Sequence, residues 1–267
     1  MGKNSQIPQY HSTVELTEGC SGCEIPIREC WACRHCLRWR RKGVSEVEVI
    51  AKFRRPELHL ERLAEALRWG PPTAKEQAEK PWMPKDRRYI FVSSRGDAFD
   101  RQLPHSWLTN IATPALQEES VQRSVLARIE SSPHVYIFCT KQPENMPDIV
   151  WPSNVILLVS VTDQKTANWC IPALLLHGRG AMALGVSAEP MREKIDLREY
   201  LSNECSRSKP GSQKLGWVIA GQGRGVKGWP YSQEWAAKLQ DQCAINGNLF
   251  FDKDNERGLR QIPGGEK

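Results

Sequence analysis

The 267-residue sequence lacks any apolar run near the roughly 20 residues that a membrane-spanning helix needs. Its opening residues, MGKNSQIPQYHS, carry no hydrophobic segment of a secretory signal, and Gln6 stands where a myristoylation pattern wants Ser or Thr. The expectation is a cytoplasmic protein with no membrane attachment. No Walker loop or nucleophile elbow occurs, and GQGRG at 221–225 is too short and too late for a dinucleotide fingerprint. Phosphate-loop and serine-nucleophile chemistry are thereby left without their residues. The six histidines show no metal-ligand spacing, with His35 as the one exception because it lies beside cysteines.

Cysteine is abundant and unevenly placed. Five of the nine fall within seventeen residues, at Cys20, Cys23, Cys30, Cys33 and Cys36. In a reducing compartment so dense a cluster reads as metal binding or catalysis, not as disulfides. Two centres fit it. In one, Cys20-x2-Cys23 and Cys30-x2-Cys33 close a structural zinc site of four thiolates. In the other, three thiolates hold a [4Fe-4S] cluster whose fourth iron stays open for S-adenosylmethionine. The net charge is +6, and Arg34, Arg38, Arg40, Arg41 and Lys42 follow the cysteines directly. Such a run reads as a solvated helix face or as a polyanion contact. Arg38, Trp39 and Arg40 are interleaved as in base-stacking surfaces, but helix amphipathicity explains them as well. Trp39, Trp69, Trp107, Trp169 and Trp235 are expected to pack in the core.

Short apolar segments then alternate with helical patterns. Strands are expected at 13–16, 46–53, 89–93, 135–139, 155–160, 182–186, 217–220 and 249–251. Helices are expected at 31–42 with Gly43 as cap, 57–69, 107–131 with a break near Pro114, 164–177, 192–201 and 232–246. Residues 1–11 read as a loose arm, 72–86 as a surface insertion, 202–214 as a loop and 258–267 as a tail of a single domain. Alternation of this kind predicts an α/β fold, a TIM-barrel-like (β/α) barrel, complete or partial, with an N-terminal cysteine-cluster loop. Ligands in such folds lie at the carboxyl ends of the strands. The polar residues there are Ser94 and Asp97, Thr140 and Lys141, Ser160 and Asp163, Ser187 and Glu189, Gln222 and Arg224, and Lys253.

Gly22-Cys23, a six-residue spacer and Cys30-Trp31-Ala32-Cys33 form a recognisable cysteine signature. On it the chain resembles the three-Cys-motif family of phage and bacterial proteins, a family of unknown function similar to a divergent branch of the radical-SAM enzymes, and the likeness extends further. It continues through Phe53, HLERLAEALRW (59–69), FVSSRGDAF (91–99), CTKQPENM (139–146), VSVTDQKTA (159–167), VSAEP (186–190), WVIAGQG (217–223), LQDQC (239–243) and LFFDK (249–253). Arg34 replaces the family's aromatic residue after the third cysteine, Gln142 replaces an Arg, GQGRG lacks an acid, and Asp254 replaces a Gln. Cys20 and Cys36 are additional, so Cys30, Cys33 and Cys36 form an alternative triad.

The resemblance implies a [4Fe-4S] cluster on Cys23, Cys30 and Cys33, S-adenosylmethionine as cofactor, and an electron donor of the flavodoxin or ferredoxin type. It also implies a family-encoded partner protein and a substrate of nucleic-acid or nucleotide character. On this reading Ser94, Asp97, Ser160, Asp163 and Glu189 contact the cofactor, while Glu189, Lys141 and Lys253 serve as catalytic groups. The alternative is a zinc-stabilised nucleic-acid-binding protein without catalysis.

Overall fold

A strand that is apolar at every position has no face to give to water, so it must lie in a sheet covered on both sides. In the computed structural model, which describes residues 2–109, 124–202, 213–223, 229–255 and 258–265, such strands form the centre of the molecule. The elements are β1 (Ser12–Val14), β2 (Thr17–Glu18), α1 (Trp31–Arg38), α2 (Glu46–Phe53), β3 (Glu57–Leu58), α3 (Arg62–Ala66), α4 (Ala74–Glu79) and β4 (Tyr89–Val92). There follow α5 (Val125–Glu130), β5 (Val135–Thr140), β6 (Val155–Val161), α6 (Gln164–His177), β7 (Ala183–Ala188), α7 (Arg198–Leu201), β8 (Trp217–Ala220), α8 (Gln233–Asn246) and β9 (Leu249–Asp252).

Seven strands make one sheet in the order β1-β4-β5-β6-β7-β8-β9, and each neighbouring pair is parallel. The order never reverses. A doubly wound sheet would reverse at its switch point, whereas one-way winding is the wall of a (β/α) barrel. No β9–β1 ladder closes the ring among the described residues, so the wall is open on one side. β2 and β3 form a separate antiparallel pair.

Alternate residues face different layers. Val92, Phe138, Leu157, Val186 and Phe250 pack against helix residues including Ile129, Ile171 and Leu239. Tyr89, Ile137, Leu158, Trp217 and Phe251 face inward and meet Tyr10, Met83 and Ile262. The inner face is therefore floored by the two ends of the described chain and by the segment before β4.

That floor changes three expectations. Residues 1–11 are not a loose arm: Ser5, Gln9, Tyr10 and His11 are buried. The 72–86 segment acts as their clasp, with Lys80 Nζ donating to the carbonyls of Ser5 (2.6 Å), Ile7 (2.8 Å) and Tyr10 (2.5 Å) and Trp82 Nε1 to that of Pro8 (3.2 Å). The tail is tied in too, because Ile262 is buried and the Tyr89 hydroxyl donates to Pro263 O at 2.5 Å.

The expected strand at 46–53 is the helix α2. Ser45 and Glu48 form a capping box, Glu48 N donating to Ser45 Oγ (3.2 Å) and Ser45 N to Glu48 Oε2 (2.7 Å). This local signal outweighs the alternation of EVEV. The helix expected at 57–69 is divided: Glu57–Leu58 pair with β2, and only α3 is helical. α1 stops at Arg38, so Gly43, at φ +91°, turns the chain into α2 and does not cap α1. The helix expected at 192–201 is reduced to α7. Trp107 and Trp69 are core residues, but Trp39 is 72% and Trp169 66% exposed. Positions 110–123 of the expected 107–131 helix, 203–212 of the loop, and Arg224 lie outside the described residues. No helix among the described residues is long and apolar enough to cross a membrane.

Candidate active site

Parallel strands place all their exits at one end, and the cysteine loop leaves β1 at that end. Its path is fixed by distant groups. Gly19 (φ +87°) donates its N–H to Arg95 O at 3.0 Å, and a Cβ there would stand 2.6 Å from Phe53 O. Cys20 N donates to Phe53 O at 2.8 Å. Ser21 donates from both N (2.6 Å) and Oγ (2.9 Å) to Asp100 Oδ2, while Arg54 Nη1 donates to Ser21 O at 2.5 Å. Gly22 sits at φ +127°, and the Arg54 guanidinium occupies the space its Cβ would need. The glycine of the Gly22-Cys23 pair is thus required by backbone conformation and by its neighbour. Cys30 then precedes α1 as its N-cap residue.

A cavity of about 350 Å³ opens at this mouth, a size usual for small-molecule sites. Cys20, Cys23 and Cys30 line one side, and Ser94, Asp97, Lys141, Ser160, Glu189 and Lys253 the other. Of the residues expected from the sequence, Cys33, Cys36 and Asp163 do not line it. Asp163 is the N-cap of α6, its carboxylate accepting from Thr166 N at 2.8 Å. Hydrogen bonding outweighs its burial and holds its carboxyl below the usual range.

Several wall groups are already engaged within the protein. Asp97 accepts from Thr140 Oγ1 (2.7 Å) and Phe99 N (2.9 Å) on one oxygen and from Lys141 N (2.9 Å) on the other. These bonds tie the β4 and β5 exits together, although burial raises the Asp97 carboxyl. Ser94 Oγ donates to Glu15, which also accepts from Arg95 N at 2.8 Å. The more adaptable groups are the long ones. Lys141 Nζ donates to Ser160 Oγ (2.5 Å) and lies 3.7 Å from Glu24. Ser160 Oγ donates in turn to Glu189 O at 2.9 Å. Lys253 Nζ forms an ion pair with the Glu189 carboxylate across the β7 and β9 exits. Two ammonium groups and one paired carboxylate therefore face a mostly apolar cavity, an arrangement suited to a zwitterionic or anionic ligand.

Sequence reasoning missed several wall residues. Tyr10 stacks on Phe91 with ring centroids 4.5 Å apart and closes the bottom of the cavity. Glu29 accepts from Trp229 Nε1 at 2.7 Å, joining the cysteine loop to the segment after β8. Behind the wall, Glu15 is 1% exposed and holds Ser94, and its position between Val14 and Leu16 was the available signal of a buried acid. Ser93 adopts a left-handed φ of 62°, a strained conformation for serine, with its Oγ accepting from Thr17 N at 3.0 Å.

The thiols differ in setting. Cys33 is fully buried on α1; burial first, then neighbouring Cys30 and Cys36, push its thiol up to about 11. Cys20 is raised chiefly by burial, with Asp97 adding, and its Sγ accepts from Gly22 N at 3.4 Å. Cys36 faces Arg95 and Glu18, away from the cavity. Among the described residues no group of three His, Cys, Asp or Glu side chains is drawn in tightly enough to hold one metal ion. A cubane cluster spreads its thiolates more widely than a single ion does. Cys23 and Cys30 line the cavity, and Cys33 lies about one helical turn beyond Cys30 on α1.

The family described as "Protein of unknown function (DUF5131)" matches residues 4–258. The chain belongs to this family. No curated protein matches the sequence. Among solved structures, the DUF5131 chain is similar to spore photoproduct lyase complexed with dinucleoside spore photoproduct, with a TM-score of 0.53 and 14% identity over 94% of this chain and 79% of the lyase. A doubly substituted variant of that lyase, with bound AdoMet and dinucleoside spore photoproduct, gives a TM-score of 0.50 at 14% identity over 91% and 75% of the two chains. At this identity the likeness is one of fold.

Proposed function

We propose that this DUF5131 protein is a radical-SAM-type enzyme acting on a substrate of nucleic-acid character. The observation that carries the reading is the opening of the cysteine loop onto the cavity that receives the strand exits. Cys23, Cys30 and Cys33 would hold the [4Fe-4S] cluster. When bound, such a cluster would supply the electron for reductive cleavage of S-adenosylmethionine. An electron donor of flavodoxin or ferredoxin type would reduce it.

The chain's own residues bind and orient. Lys141, held by Ser160 and reaching toward Cys23 and Glu24, is placed for a carboxylate or phosphate. Glu189 would take ribose hydroxyls or an amino group, and Lys253 pairs with its carboxylate and directs it. Asp97 and Ser94 act chiefly by fixing the β1, β4 and β5 exits, since their polar atoms are bonded within the protein. Tyr10 and Phe91 exclude water from below. The shared fold with a lyase that binds AdoMet and a dinucleoside photoproduct supports the choice of cofactor and substrate class. Zinc has less support, because among the described residues no three Cys, His, Asp or Glu side chains converge closely enough for a single ion, and the carboxylates of Asp97 and Asp100 lie near Cys20.

Anaerobic preparation should give a brown protein with about four irons per chain. After dithionite reduction it should release 5′-deoxyadenosine from S-adenosylmethionine, and Cys30→Ala should abolish the release. A colourless protein holding about one zinc overturns the proposal. Loss in Cys36→Ala with retention in Cys23→Ala would move the triad to Cys30, Cys33 and Cys36.

A further inference from the structure

The helix that carries Cys33 has a second face that starts at the cavity mouth and runs away from it. Trp31, His35 and Trp39 recur every fourth residue, so their rings form a ladder along α1 and its cap. The Trp31 and His35 centroids are 5.6 Å apart and stacked; His35 and Trp39 are 6.4 Å apart. The ladder is uncovered, with Trp31 46% and Trp39 72% exposed. Between Trp31 and Gly43 lie five cations and no acid. Arg40 approaches Glu46 at 3.9 Å. Among the described residues, Arg38, Arg41 and Lys42 have no carboxylate within ion-pairing distance. A basic residue in the last turn is accounted for by the helix dipole, which explains Arg38 alone. It explains neither Arg41 and Lys42 nor two indoles left in water.

Rings that offer flat faces beside unpaired cations match a strand of unpaired bases, which presents π-faces and phosphates at similar intervals. A duplex hides its base faces and would leave Trp39 unused. An acidic protein would satisfy the cations but has no corresponding need for a ring ladder. Trp31 also lines the cavity mouth, so the ladder runs to the candidate site. We propose that this surface seats a single-stranded nucleic acid, with bases stacked on Trp39 and Trp31 and phosphates paired with Arg38, Arg41 and Lys42. The proposal deepens the function proposed above and rests on it for the substrate class.

The test is fluorescence anisotropy of the full chain with a labelled single strand of roughly 12 nucleotides and with its duplex, across a salt series. The single strand should bind more tightly than the duplex. Trp39→Ala should weaken it by about 5- to 100-fold while Trp39→Phe retains most of the affinity. Replacing Arg38, Arg41 and Lys42 together by Ala should make the salt slope shallower by about 2. Circular dichroism checks that each variant is folded. Equal affinity in Trp39→Ala, preference for the duplex, or binding of an acidic protein without the strand overturns the proposal. The two readings fail separately. A protein that binds the strand but holds no iron supports this surface and sinks the cluster; one that cleaves S-adenosylmethionine but binds no strand does the reverse.

Discussion

In the sheet, each ladder is supported by the next, Phe138 facing Leu157 and Leu157 facing Leu184, and apolar layers cover both sides. The cysteine loop is held differently. Its backbone is fixed by Phe53, Arg54, Arg95 and Asp100, brought in from 30 to 80 residues away, and much of the loop is exposed. One region is stabilised by many small packing terms, the other by a few polar bonds. The second kind of region opens at low local cost and can adjust to a bound group. The contrast places rigidity in the wall and adaptability at the candidate metal ligands.

The largest effect should come from breaking the wall. Phe138 is fully buried, with ring centroids 5.9 Å from both Phe99 and Trp151. Phe138→Ala should lower global stability by about 3–5 kcal/mol in chemical denaturation.

Acid should act next, through the floor. His11 is buried with Nδ1 accepting from Tyr89 N at 2.9 Å, which requires that nitrogen to be unprotonated. Burial first, then Lys80 and Arg88, lower its pKa from 6.5 to about 4, with Glu76 opposing and His134 adding slightly. Between those values the unfolded chain binds more protons than the folded one, so stability rises with pH across that window. Going from pH 6.5 to pH 4 should therefore remove up to about 3 kcal/mol through this residue. The loss should be absent from the same titration of His11→Asn, and an unchanged slope there would assign it to other groups.

The loop should break more locally. Gly22→Ala forces a left-handed φ on a residue with a Cβ and displaces Arg54 from Ser21 O. It should cost about 1–3 kcal/mol. The unfolding midpoint should move less than with Phe138→Ala, while iron incorporation, measured on the anaerobically prepared protein, falls steeply. Equal loss of both would mean that the loop and the wall are one cooperative unit.

The same contrast explains what could be read from the sequence. Continuous apolar runs announced β4 to β9 because burial on both faces leaves no other composition. The mouth followed from topology, so Ser94, Asp97, Lys141, Ser160, Glu189 and Lys253 could be named without knowing their partners. What was illegible depends on contacts distant in sequence. Nothing local distinguishes a clasped arm from a loose one when the clasp is Lys80. Tyr10 and Glu29 become wall residues only once Phe91 and Trp229 come round to them. α2 was a different kind of miss, since the Ser45–Glu48 box was visible but its short segment also alternates.

Trp169 gives the smallest effect and the finest test. Its type and its place on a helix predict a core residue, yet α6 buries Ala167, Cys170, Ile171 and Leu174 and turns Trp169 and Leu176 outward. Position 169 falls between the buried 167 and 170, and at about 100° per residue it points away from both. Because its indole is 66% exposed, little apolar area is lost on truncation. Trp169→Ala should change stability by less than about 0.5 kcal/mol. Trp217→Ala, inside the wall and fully buried, should lose about 3–5 kcal/mol. Thermal or urea unfolding of the two variants side by side measures the difference. A large loss at Trp169 would mean that the outer face of α6 is covered in the native protein, and would turn an apparently idle indole into evidence for a second interface.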